Sequence, residues 1–119
     1  MRLPLSLRPG IGANGMAKPA AIPERESDIQ ATIRDWLRWH GWYVVRHHQT
    51  LGSHKGLADL QAIKSGRVVM IEIKTARGRL SQDQIQFAAD WEDHGGTYIV
   101  ARSIEDVERA LKGLQQGVG

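Results

Sequence analysis

Apolar positions along the chain change period several times, and each change marks an element. Ile29, Ile33, Trp36, Leu37 and His40 recur at helical spacing behind a Ser27-Asp28-Ile29-Gln30 capping-box signature, and Gly41 ends the run. The spacing predicts an amphipathic helix. Residues 42–49 read as a first strand and residues 50–56 as a polar loop. Residues 57–63 read as a second strand, Lys64-Ser65-Gly66-Arg67 as a tight turn, and residues 68–73 as a third strand, β-branched and buried on both faces. A second capping box, Ser81-Gln82-Asp83-Gln84, opens a helix that carries Ile85, Phe87, Ala88 and Trp91 and stops at Gly95-Gly96. Thr97–Ala101 is a fourth strand. Ser103 then caps a last helix with Ile104, Val107, Leu111 and Leu114 on one face. Helix, three strands, helix, strand, helix is the order of an α/β layer around a small mixed sheet.

A chain of 119 residues supports one core. A single domain is expected over residues 25–116. Residues 1–24 hold all four prolines, Pro4, Pro9, Pro19 and Pro23, with no acid before Glu24, and read as a disordered basic leader. No stretch approaches the ~18 apolar residues of a membrane span, and the amino terminus has no secretory apolar region. The cytoplasm is the expected location. The absence of cysteine excludes a disulfide framework, cysteine-ligated zinc and thiol catalysis.

Net charge is +3, but its distribution says more than its size. Residues 46–79 carry seven basic residues, Arg46, Lys55, Lys64, Arg67, Lys74, Arg77 and Arg79, against two acids, Asp59 and Glu72. A locally basic segment suits a polyanion such as nucleic acid, with Arg46, Lys55, Arg77 and Arg79 as candidate contacts. A solvated basic face is the plain alternative. Against it, the two acids of the segment both fall on apolar strands.

Those acids define the chemistry. Strand alternation puts Glu72 and Lys74 on one face and Ile71 and Ile73 on the other. A carboxylate and an ammonium at the end of a buried strand are costly to desolvate unless they pair, bind a metal or meet substrate. The tight turn makes the second and third strands antiparallel neighbours, with Asp59 and Glu72 at comparable distances from it. Two carboxylates on adjacent strands offer hard oxygen ligands to Mg2+ or Mn2+, and the Ile73 backbone carbonyl offers another. Such an ion supports hydrolysis of a phosphodiester, with Lys74 stabilising charge on the phosphate. The competing reading is a surface ion pair on an edge strand. His47 and His48 are adjacent, face opposite ways on a strand, and make a poor shared metal site. Trp36, Trp39 and Trp42 recur every third residue, either as core or as a contact surface for a second subunit.

Glu26, Gly56-Leu57-Ala58-Asp59, Glu72-Ile73-Lys74, Gly78-Arg79-Leu80-Ser81 and Gln84, in this order over residues 25–112, resemble the VRR-NUC family of the PD-(D/E)XK nuclease superfamily. The resemblance implies a restriction-endonuclease-like αβββαβα core. It implies Asp59 and Glu72 as metal ligands, Lys74 as the catalytic lysine, Glu26 as a further acidic member of the site and of its metal ligands, and Gln84 as a helix glutamine that supports the site or touches substrate. It also implies branched or four-way-junction DNA as substrate, Mg2+ or Mn2+ as cofactor, and kinship with stand-alone phage and bacterial members, some of them homodimers. Ala58 stands where the family usually has proline, which bears on the stiffness of the strand entry rather than on the metal site. A catalytically silent nucleic-acid-binding module with the same fold is the alternative function, and a structural protein with an incidental basic face is a third.

Overall fold

The structure is a computed structural model that describes residues 24–117; the expected leader, but for Glu24, lies outside the described residues. Along the chain come α1 (Glu26–Trp39), β1 (Tyr43–Arg46), β2 (Leu60–Lys64), β3 (Arg67–Ile73), α2 (Gln82–Asp93), β4 (Thr97–Ala101) and α3 (Ile104–Gly117). The strands form one mixed sheet in the order β1-β2-β3-β4. β1 and β2, and β2 and β3, pair antiparallel, whereas β3 and β4 run parallel across the helical connection. Among the described residues no helix is long and apolar enough to cross a membrane.

Layering follows from strand alternation. Leu60, Ala62, Val69, Ile71, Ile73, Ile99 and Ala101 face one way and pack under α1 and α3 through Ile29, Ile33, Leu37, Val107 and Leu111. The opposite face carries a smaller cluster in which Met70 and Ala58 meet Phe87 of α2, with Trp91 and Tyr98 beside them. β3 is therefore covered on both sides, as its continuous apolar run predicts. The two-residue turn between β2 and β3 has Ser65 and Gly66 both at positive φ, 52° and 79°, the backbone of a type I′ hairpin.

Two expectations are corrected. β1 and β2 are shorter than the apolar pattern suggests, and Asp59 precedes β2 instead of lying within it. The reason is chemical: the Asp59 carboxylate itself accepts the Ile73 N–H at 2.8 Å, while the Ala58 carbonyl, the ladder's next acceptor, is taken by the His47 ring. The side chain thus replaces a rung of the ladder. The capping box expected at Ser27 is also absent: α1 starts at Glu26 behind Arg25, with no side-chain cap. Glu26 and Asp28 in the first turn supply negative charge there instead. The second box does form, through Ser81 and Gln84.

The tryptophans do not make one surface. Trp36 and Trp42 pack against the larger core, Trp36 stacking on His40 at 3.9 Å, and Trp39 alone stands out at 88% exposure.

Between β1 and β2 the chain makes a loop that closes onto the start of α2. Gly56 makes this possible: its φ is +78°, and a Cβ there would lie 2.1 Å from the Asp83 carbonyl oxygen. Gly56→Ala combines a left-handed backbone with a collision against helix backbone and is expected to cost roughly 2–5 kcal/mol. Urea unfolding beside the wild type measures it; an unchanged midpoint would show that the loop rearranges freely.

Candidate active site

β3 delivers two of the functional groups and β2 aligns the third. Leu60 pairs with Ile71, so the next step of the register sets Asp59 opposite Glu72, and Lys74 follows on the same face. Asp59 is held by the Ile73 N–H. Among the described residues Glu72 is the charged side chain that is buried, 3% exposed. One of its oxygens, Oε2, accepts from Gln84 Nε2 at 2.9 Å and lies 3.6 Å from Lys74 Nζ. The other, Oε1, is buried with no hydrogen-bond partner.

This arrangement strains the charge on Glu72. Burial, then the neighbouring Asp59 carboxylate, push its pKa from 4.5 up to about 8, with Lys74 only partly opposing them. Burial also raises the Tyr98 phenol, helped by the same two carboxylates. The Tyr98 hydroxyl, like Glu72 Oε1, has no partner among the described residues. Two neighbouring carboxylates, one of them buried and with an unsatisfied oxygen, form a donor set suited to a hard divalent cation. Among the described residues no group of three or more His, Asp or Glu gathers as a complete cage. An ion on this pair therefore needs backbone, solvent or phosphate oxygens as well, which is the usual habit of Mg2+.

The structure thus brings Asp59, Glu72, Lys74 and Gln84 together. Gln84 fills both roles open to it: its Oε1 closes the capping box on the Ser81 N–H at 2.9 Å while its Nε2 holds Glu72. Glu26 stands exposed in the first turn of α1 and does not join Asp59 and Glu72 in an acid cluster. Arg46, Lys55, Arg77 and Arg79 are exposed, and none is ion-paired among the described residues.

Two supporting residues escape sequence reasoning. Arg102, at the end of β4, donates from its guanidinium to the carbonyls of Thr75 and Gly78 at 2.5 and 2.6 Å. It thereby fixes the loop that carries Arg77 and Arg79. His47 bridges the Ala58 carbonyl at 2.8 Å and Gln61 Oε1 at 3.1 Å, bracing the backbone just ahead of Asp59. No sequence signal marks either, because both act on partners more than ten residues away.

The sequence profile of the archaeal Holliday junction resolvase (Hjc) family matches residues 23–112. The chain belongs to that family. Solved structures of similar fold include a VRR_NUC domain with a TM-score of 0.63 at 18% identity, covering 73% of this chain and 94% of that one. A VRR_NUC domain protein superposes with a TM-score of 0.62 at 20% identity, covering 76% and 88%. A sequence search of curated proteins finds no match. The resolvase family and the VRR_NUC neighbours both belong to the restriction-endonuclease-like nucleases, so the fold expected from Glu72-Ile73-Lys74 and its surroundings is the fold observed.

Proposed function

We propose that this protein is a Mg2+- or Mn2+-dependent endodeoxyribonuclease that hydrolyses phosphodiester bonds in branched or four-way-junction DNA, and that it works as a homodimer. Membership in the resolvase family carries the structure-selective nuclease. The observation that carries the active site is the opposition of Asp59 and Glu72 at the end of β3, with Lys74 on the same face and Glu72 Oε1 unsatisfied.

Asp59, Glu72 and the Ile73 carbonyl are the groups that would hold the ion, which when bound polarises a phosphoryl oxygen and lowers the pKa of a water. Gln84 keeps Glu72 oriented by a hydrogen bond to the oxygen that faces Lys74. Lys74 places its ammonium where it stabilises charge developing on the phosphate. Glu26 belongs to the proposal as a further acid outside the carboxylate pair. Arg46, Lys55, Arg77 and Arg79 take the DNA backbone, so recognition runs through phosphates and shape.

The dimer rests on stoichiometry and surface. One chain supplies one such site, and cutting two strands of a junction symmetrically takes two. α2 leaves the β1–β2 half of its sheet face uncovered, where Tyr43, Val45 and Ile63 are 71%, 41% and 40% exposed. Sedimentation velocity is expected to give a species of twice the 13.3 kDa chain mass. A monomer at every concentration tested rejects that part.

Cleavage of labelled four-way-junction, flap, duplex and single-stranded DNA with Mg2+, Mn2+ or EDTA tests the whole reading. Cutting of branched substrates that EDTA abolishes is the expected result, with affinity falling steeply as salt rises. A protein that shifts these substrates in a gel yet cuts none under any metal is the silent binding module instead. The intact set of Asp59, Glu72 and Lys74 argues against that outcome.

A further inference from the structure

The loop between β1 and β2 ends in a side chain that the fold does not use. Leu51 is fully exposed, the most exposed of the large apolar residues among those described. A single apolar residue on a surface is ordinary. Leu51 differs in how it is held and in what lies beside it.

The turn that carries it is closed on itself. The Thr50 N–H donates to Ser53 Oγ at 2.8 Å, the Ser53 N–H donates to the Thr50 carbonyl at 3.0 Å, and Ser53 Oγ donates to the His48 carbonyl at 3.1 Å. Leu51 and Gly52 are left at the tip. A Cβ at Gly52 would meet nothing within 4 Å, so the tip presents one aliphatic side chain with open space beside it. The base of the loop is tied to the active site on both sides. Gln49 Nε2 donates to the Leu57 carbonyl at 2.9 Å, two residues before Asp59. On the other side, Gly56 lies against the Asp83 backbone, and His54 meets Phe87 edge-on at 5.4 Å, next to the helix turn from which Gln84 holds Glu72. Leu51 is two residues from Gln49, at most ~7.6 Å of chain. His48, His54 and Lys55 of the same loop and Arg46 at the end of β1 are exposed.

We infer that Leu51 is a wedge that enters the open step between base pairs at the branch point of the DNA, which deepens the nuclease reading above and rests on it. An apolar side chain inserted at a base step unstacks it, and a branch point is where a step is already weakened. Basic and hydroxyl groups around the tip meet the phosphates on either side, while the tether at Gln49 keeps the branch a fixed short distance from Asp59. Leu51 is in this sense a specificity-determining residue. It favours branched over linear DNA because a fully stacked duplex offers no gap.

The test uses a four-way junction with 2-aminopurine beside the crossover and a linear duplex of equal length. Both are titrated with the full-length protein in Ca2+, with Leu51→Ser in parallel. Leu51 contacts no core residue, so Leu51→Ser is expected to keep the wild-type melting temperature. Wild type should raise 2-aminopurine fluorescence severalfold on binding the junction, and Leu51→Ser should leave it near the free-DNA level. The preference for junction over duplex should fall about tenfold, with duplex affinity unchanged. Equal fluorescence and equal preference in the two proteins overturn the wedge while leaving the nuclease intact. Failure of the wild type itself to prefer the junction removes the branched-DNA reading and the wedge together.

Discussion

Lys74→Met is expected to lower the single-turnover rate of junction cleavage roughly 10²- to 10³-fold while junction affinity measured in Ca2+ changes little. Lys74 is largely buried, its ammonium 3.6 Å from Glu72 Oε2, so it is not available as a surface phosphate anchor. On the proposed reading its charge would act where the phosphate lies against the carboxylates. An ammonium in a dehydrated site stabilises developing negative charge far better than one in water, since the local dielectric is low. Methionine keeps the length and packing of the stem and removes only the charge. The expected signature is therefore a fall in rate at saturating enzyme, with the binding curve preserved. Lys74→Arg is a sharper control, because a planar guanidinium does not reproduce a point charge in a fitted pocket. Unimpaired cleavage by Lys74→Met would remove Lys74 from the catalytic set and return it to an ion-pair role.

The second large effect concerns Glu72 and stability without metal. Its pKa is 4.5 in an ordinary environment and is pushed up to about 8 in the fold. A group whose folded value is raised contributes stability that is complete below the unfolded value and is lost as pH rises toward the folded one. Metal-free protein is thus expected to lose stability from about pH 5 to pH 8 and to level off above. At about 1.4 kcal/mol per unit, the full shift amounts to about 5 kcal/mol as an upper bound. Relaxation and water entry reduce it. Unfolding midpoints in EDTA across this range should fall for the wild type and stay flat for Glu72→Gln, which has no charge to bury. Mg2+ at pH 8 should restore wild-type stability and move Glu72→Gln far less, because only Asp59 is then left as a carboxylate for the ion. A flat wild-type profile in EDTA would mean that the Glu72 charge is accommodated by other groups.

Asp59 and Glu72 together show why the proposed site would tolerate such a cost. Asp59 and Glu72 repel each other across neighbouring strands, and the ladder gives up a backbone rung so that Asp59 can face Glu72. An arrangement of carboxylates that is unfavourable in the free protein would favour a cation held by them. Gln84 donates to one Glu72 oxygen and Lys74 lies 3.6 Å from the same one, which leaves the other without a partner.

Elements whose residues interact locally were legible in the sequence. Helical periodicity, the Ser81–Gln84 box, the Ser65-Gly66 turn and the doubly buried run of β3 each depend on neighbours within a few residues, and each appears in the fold. That Asp59 lies near Glu72 was also readable, because a tight hairpin converts sequence distance into register. Other features were decided only by tertiary structure. The end of β1, the position of Asp59 outside β2, the Arg102 clamp on the basic loop and the mooring of the Leu51 turn each arise between residues far apart in the chain. The tryptophan stripe divided between core and surface for the same reason: periodicity shows which side chains share a helix face, but only the packed partners, here His40 and the sheet, decide which of them are covered.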